Sequence, residues 1–257
     1  MKKRQWKLVS VLMLSVVILI GLAACGDDSE GLKDEYTVVS DTSFVPFEFK
    51  EDGEYVGFDI DLIYAISDEV GFEINFATTN FDGIIPGLQT GSFDIALAGI
   101  GITEERAKKI DYSDPYYESG LYIGVSIDND EINGMEDLEE KTVATRLGST
   151  SASYIEENID GAEANQYEQL DQAYLAVENG SVDAILYDAP NVAYYIQTTG
   201  EDKLKIVGDL YEAEEYGIAF AQGQDELVEE VDKALETLKD NGKYDEIYEK
   251  WFGEKPD

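Results

Sequence analysis

Gly91-Ser92-Phe93-Asp94-Ile95-Ala96 is answered 89 residues later by Gly180-Ser181-Val182-Asp183-Ala184-Ile185. Each copy follows a segment of helical character and opens a β-rich run, so each reads as a helix-to-strand turn. Seven and eight residues past each glycine stand Ala98-Gly99 and Tyr187-Asp188. On equivalent strands these pairs fall near the carboxyl ends, where open α/β sheets bind ligands. Gly-Ser-x-Asp is also common turn chemistry before a strand, so the echo gains force only from what surrounds it.

Outward from the echo, short β-rich runs alternate with helix-like ones. The runs are 36–40, 74–78, 94–98, 142–145, 183–187 and 216–220. This alternation predicts an α/β fold with mostly parallel sheets. Leu62, Ile63, Ile66 and Val70 make one apolar helical face, and Leu227, Val231, Leu235 and Leu238 make another. Gly71 and Gly242 are placed to end those two helices.

Composition removes several function classes. The chain of 257 residues carries 56 acidic and 18 basic residues. Lys2, Lys3, Arg4 and Lys7 lie in the first 25 residues, which leaves 14 basic against 56 acidic in the remainder, a balance of −42. So negative a surface repels nucleic acid and anionic lipid, whose recognition begins with basic residues on phosphate. The acidity suits a salty or alkaline medium. Histidine is absent and Cys25 is the only cysteine, which excludes Ser-His and Cys-His catalysis, histidine metal sites and internal disulfides. No loop has the spacing of a calcium site; solvated helix starts account for the Asp59-x-Asp61 pair. Neither a metal nor a cofactor is expected.

The first 25 residues read as an address. Lys2, Lys3 and Arg4 precede an uncharged run over Leu8–Leu22, about 15 residues where a spanning helix needs about 20. The run ends in Leu22-Ala23-Ala24-Cys25-Gly26. That ending resembles the bacterial lipobox, whose cysteine receives diacylglycerol and, later, a palmitate-type acyl chain. Residues 1–25 are thus expected as a lipoprotein signal peptide, Cys25 as the membrane anchor on the extracytoplasmic face, and 26–34 as a tether.

The motifs Asp41-Thr42-Ser43-Phe44-Val45-Pro46-Phe47-Glu48-Phe49, Gly57-Phe58-Asp59-Ile60-Asp61-Leu62, Phe81-Asp82-Gly83-Ile84-Ile85-Pro86-Gly87-Leu88-Gln89, Ala98-Gly99-Ile100-Gly101-Ile102-Thr103-Glu104-Glu105-Arg106, Tyr187-Asp188-Ala189-Pro190-Asn191 and the closing Tyr244–Phe252 stretch run in order from Glu35 to Phe252. Together they resemble the polar amino-acid binding lipoproteins of ATP-binding cassette importers, family 3 of the extracellular solute-binding proteins, with the glutamine-binding type nearest. The resemblance implies a two-lobed, periplasmic-binding-protein-like (type II) clamshell joined by two hinge strands. Lobe 1 is expected over 35–115 plus 217–257, lobe 2 over 121–211, and the crossings over 116–120 and 212–216. It also implies a monomer that hands its ligand to the transmembrane subunits of a permease.

The same resemblance assigns roles. Arg106 grips the ligand α-carboxylate with a planar fork that lysine cannot reproduce. Asp188 accepts from the α-ammonium, helped by the Gly99 carbonyl on the run from Ala98 to Gly101, although Asp188 before Ala189-Pro190 also fits a helix N-cap. Phe44 and Phe81 flank the aliphatic stem. Asp41 and Arg146 read the side-chain end, an acceptor and a donor that match a primary amide and favour glutamine over arginine or glutamate. Three positions depart from the pattern: Gly101 stands for a ligand-contacting threonine, Arg146 for a lysine and Tyr187 for a histidine. A water, or Ser149 and Thr150 from the other lobe, could replace the contact missing at Gly101. Two other classes remain: a sensory or chemotaxis module built on the same clamshell, and an enzyme such as a dehydratase, for which the cleft acids Asp41 and Asp188 are already committed to binding.

Overall fold

The computed structural model describes residues 31–253. The signal segment, Cys25 and the first residues of the tether lie outside them, so the lipid-anchor expectation does too. From Asp34 onward the chain forms a single unit built on one eight-stranded sheet.

The sheet is symmetric about its middle. Strand β1 (Glu35–Ser40) lies between β4 (Glu73–Thr78) and β5 (Ile95–Ala96), parallel to both. Strand β7 (Thr142–Arg146) lies between β8 (Glu163–Tyr167) and β9 (Ala184–Asp188), again parallel to both. Each triplet keeps its own core: Val39, Ile84, Leu88, Ala96 and Ile110 in the first, and Ile123, Val143, Ile155, Ala184 and Leu186 in the second. The fold is therefore two-lobed α/β. A small hairpin of β2 (Phe49–Glu51) and β3 (Glu54–Val56) stands apart.

Joining the triplets are two long strands, β6 (Asp111–Ser126) and β10 (Leu204–Phe220), antiparallel to each other and to β5 and β9. The sheet is thus mixed, parallel within each triplet and antiparallel across the middle. The run at 216–220 is the end of a 17-residue strand, and of 94–98 only Ile95 and Ala96 are in a strand. Between the lobes the β6–β10 ladder runs through Tyr117↔Tyr216, Glu118↔Glu215 and Ser119↔Glu214 before it slips in register toward Leu121↔Tyr211.

The echoed turns do the same mechanical job twice. Gly91 and Gly180 adopt φ +70° and +72°, a left-handed conformation that glycine enters without penalty. Asp94 Oδ2 then accepts the backbone N–H of Thr37, and its own N–H donates to the Thr37 carbonyl. Asp183 treats Thr142 identically. Each aspartate pins the start of the inner strand beside the first strand of its lobe.

Helix α1 (Phe58–Val70) buries Leu62, Ile63 and Ile66, each worth about 1.5–3 kcal/mol relative to exposure; Val70, at its end, is only half-buried. Gly71 terminates it at φ +94°. Later helices are α2 (Phe81–Gln89), α3 (Glu104–Ala107), α4 (Thr150–Asn158), α5 (Leu170–Glu178), α6 (Ala189–Thr198), α7 (Asp225–Asp240) and α8 (Lys243–Phe252). Helix α7 buries Leu227, Val231, Leu235 and Leu238 and ends on Asn241, after which Gly242 turns the chain into α8. The Asp59-x-Asp61 pair is no solvated helix start: Asp59 is fully buried, and Asp61 accepts from the Trp251 indole at 2.7 Å.

Candidate functional site

The carboxyl ends of β1, β5, β7 and β9 converge beside the β6–β10 crossing. Asp41 follows β1, Ala98 to Gly101 follow β5, Arg146 ends β7 and leads into Ser149 and Thr150, and Tyr187 and Asp188 end β9.

Arg106 is held here by the short α3, whose N-cap Thr103 accepts the Arg106 backbone N–H. Its guanidinium lies 5.6 Å from the centre of the Phe81 ring. Nη1 donates to the Gly101 carbonyl and Nη2 to the Gly148 carbonyl, each at 3.0 Å, so the fork spans both lobes. Gly148 leads directly into the N-terminus of α4. Ser149 caps that helix, accepting the Ala152 N–H at 3.1 Å and donating to the Arg146 carbonyl. Its hydroxyl is thereby committed to the helix, and Thr150 is the residue of the two that reaches Gly101.

Asp188 occupies the N-cap position of α6 without making a side-chain cap. Its Oδ2 accepts from the Tyr216 hydroxyl, whereas Oδ1 is buried with no donor. Burial, and then the charge of Glu214, push the Asp188 carboxyl well above the usual range, against the pull of Tyr216 and Arg106. A buried carboxylate oxygen without a donor is costly. A cation placed against it removes that cost.

Phe44 stands over the Gly99 turn, edge-on to Tyr187 at 5.9 Å and to Tyr216 at 6.3 Å. At φ +53°, with Phe44 Cε1 2.3 Å from where a Cβ would lie, any side chain at position 99 is strained and must displace the Phe44 ring. Asp41 and Arg146 are both 1% exposed and bond each other across the lobes at 2.7 Å; Nη1 of Arg146 also donates to the Ser43 carbonyl. The two expected readers of the ligand side chain thus form a closed, formally neutral pair. Burial raises the Asp41 carboxyl, while Arg146 and the Thr42 N–H oppose that rise.

Glu214 is the residue the sequence reading missed. It comes from the crossing strand, and its Oε1 sits 1.8 Å from where a Cβ on Gly101 would be. The carboxylate fills the space of the missing threonine side chain, bonds Thr150 and feels the charge of Arg106. Its Oε2 is buried without a donor. The signal was present in the chain: an absent side chain at 101 asks what occupies its volume. Beside this point opens a cavity of about 500 Å³, lined by Thr103, Glu118, Ser119, Thr150, Glu212, Glu214 and Glu215 among others.

Further contacts bind the lobes across the mouth. Gln169 Nε2 donates to Asn80 at 3.0 Å and to Thr42 at 3.3 Å, and Asn191 donates to the Val45 carbonyl at 2.7 Å.

Residues 36–254 match the bacterial extracellular solute-binding proteins, family 3. The chain belongs to that family. Among family 3 relatives, the arginine-binding extracellular protein ArtP of Bacillus subtilis (strain 168) is 30% identical over 98% of this chain and all of its own length. The ABC transporter glutamine-binding protein GlnH of the same organism is 33% identical, with 97% and 98% covered. The solved structure of an ancestral arginine-binding protein bound to glutamine superposes with a TM-score of 0.83 at 42% identity, over 87% of this chain and all of that one. The family 3 chain described here thus has an extracellular solute-binding fold, and no helix of its described residues is long and apolar enough to cross a membrane.

Proposed function

We propose that this family 3 protein captures a polar L-amino acid between its lobes and delivers it to an ATP-binding cassette permease, tethered to the outer face of the cell membrane by a lipid on Cys25. The observation that carries the reading is the donorless, buried Oδ1 of Asp188 in the same cleft as the lobe-spanning guanidinium of Arg106. A zwitterion brings one cation and one anion, and each is expensive to bury unless an opposite, hydrogen-bonded partner receives it. The Phe44 and Phe81 rings exclude water and strengthen both contacts. Because ligand contacts come from both lobes, binding favours the closed shape, which a permease can recognise.

Glutamine is the side chain we favour. The Arg146–Asp41 pair carries no net charge, and an amide can accept from one member and donate to the other, whereas a charged side chain meets a like charge on one of them. A specific observation supports a second reading, a cationic amino acid such as arginine: Glu214 adds a buried carboxyl whose pKa burial raises, against the pull of Thr150 and Arg106, and a cationic side chain beside it would favour its ionised form.

A thermal-shift panel of the twenty amino acids on the fragment from Gly26 separates these readings, because a bound ligand stabilises the native state by mass action. Glutamine should give the largest shift, confirmed by calorimetry against arginine, glutamate and cystine. Tighter binding of arginine establishes the second reading, and no shift with any amino acid ends both. Replacing Cys25 by alanine should release the protein from membranes; retention there would remove the anchor from the proposal.

A further inference from the structure

Behind the Phe44 turn lies a second pair of acids that touches no expected ligand atom. Glu48 is 0% exposed, and neither of its carboxylate oxygens meets a donor. Asp59, also 0% exposed, accepts at Oδ2 from the Gly99 N–H and from the Tyr116 hydroxyl, each at 2.9 Å, while Oδ1 has no donor. The two carboxyls lie within hydrogen-bonding reach of one another.

The backbone around them is already strapped together. The Phe44 N–H donates to the Glu48 carbonyl at 2.7 Å and the Glu48 N–H returns to the Phe44 carbonyl at 3.0 Å. The Asp59 N–H donates to the Phe47 carbonyl at 2.9 Å. Glu48 therefore belongs to the turn that presents Phe44, and Asp59 to the helix that holds Gly99.

We propose that Glu48 and Asp59 share one proton and act as a positioning pair, the Glu48 hydroxyl donating to Asp59 Oδ1 so that the Phe44 turn and the Gly99 turn are held in register for the ligand. Two ionised carboxylates in contact, buried and without a donor between them, repel strongly, and one proton converts that repulsion into a hydrogen bond. The groups facing the pair leave no other remedy. Asp41 and Arg146 face it from the ends of β1 and β7 but neutralise each other. Tyr116 and Tyr117 face it from β6 and Tyr244 from α8, and burial raises the pKa of all three hydroxyls. Burial raises both carboxyls, and because Asp59 Oδ2 already accepts two donors whereas neither Glu48 oxygen meets one, Glu48 is the member that keeps the proton. Asp59 is then free to serve as the doubly bonded acceptor for Gly99 and Tyr116.

This inference rests on the proposed function, which puts Phe44 against the ligand, and the test separates the two. Glu48→Gln keeps a donor of the same shape that cannot ionise, whereas Glu48→Ala removes it. Calorimetry with the tightest amino acid of the panel, from pH 6 to pH 9.5, should show wild-type affinity falling at least tenfold more steeply toward the alkaline end than that of E48Q. E48Q should match wild type at pH 6, and E48A should bind at least tenfold more weakly throughout. Parallel pH profiles for wild type and E48Q overturn the proposal. A readout independent of ligand is the infrared carbonyl absorption of buried protonated acids at pH 7.5, in which wild type should show a component that is lost in E48Q, over whatever Asp188 contributes to both. Absence of that component in wild type also overturns it, even if every amino acid fails to bind. Failure of all ligands with the component present instead defeats the proposed function and leaves the pair standing.

Discussion

On the proposed function the chemistry of the cleft reduces to a few side chains, and Arg106 is assigned the largest share. Its Nη atoms meet carbonyls of both lobes, so truncation removes the carboxylate fork and an interlobe tie together. Arg106→Ala should weaken amino-acid binding by roughly 100-fold, in line with the 2–5 kcal/mol typical of a buried charged partner. Arg106→Lys should recover little, since a point charge cannot bridge two acceptors in a plane. Calorimetry decides, and unchanged affinity in the alanine variant would falsify the assignment. Gly101 and Glu214 offer a sharper geometric test. Gly101→Thr drives its Cβ into the Glu214 carboxylate and should cost several-fold in affinity. In the double variant with Glu214→Ala the loss should be largely recovered, a coupling that independent sites would not give.

Elements place those side chains through local rules that differ in how openly the chain displays them. The helix α1 face was legible because Leu62, Ile63 and Ile66 repeat at helical spacing. The two inner turns were legible because Asp94 and Asp183 sit at equal distances from their glycines and pin equivalent strands. The central crossing was legible only through the family resemblance, which implied two hinge strands, and not from local pattern. Strand β6 contains Pro115 and Gly120 within Asp111–Ser126, residues that weaken strand signals, and it is held instead by its pairing with β10, which no local pattern encodes. Asp59 was misread for a related reason: its burial depends on Glu48, Gly99 and Tyr116, far apart in the chain. Glu214 escaped because its role depends on volume missing at Gly101. At this scale Ser149→Ala removes the N-cap of a nine-residue helix and should lower stability by about 1 kcal/mol. Chemical denaturation measures it; a change below a few tenths would mean the cap is redundant.

For the whole molecule, charge and protonation set the conditions of stability. With 14 basic against 56 acidic residues beyond position 25, self-repulsion opposes compaction, and added salt screens it. The melting temperature should rise by several degrees between low and molar sodium chloride; a flat response would remove the salty-medium reading. The buried acids work in the opposite direction to ordinary surface carboxylates. Asp59 has its folded pKa raised from 3.8 to about 7, so the native state binds the proton more tightly than the unfolded chain. Its contribution is complete below about pH 4 and is lost as pH rises through about 7, on the order of a few kcal/mol. Denaturation at pH 5 and pH 8 in wild type and Asp59→Asn tests the sign: the wild type should lose more stability on going to pH 8 than the variant does.

The path of the chain through the sheet has a bearing on how the molecule is made. Strand β5 contributes two residues to the first triplet, and its second neighbour is the far end of β10, where Ala219 pairs with Ala96 and Phe220 with Ile95, 123 and 125 residues downstream. Helices α7 and α8, which pack on α1, come later still. The second triplet, by contrast, arises from one uninterrupted stretch. During vectorial synthesis the amino-terminal half must wait with its sheet edge and the buried face of α1 uncovered until the last fifty or so residues emerge, while the inserted half can finish first. Loss of the final two helices should therefore leave the second half folded and the first half a target for holding chaperones and proteases.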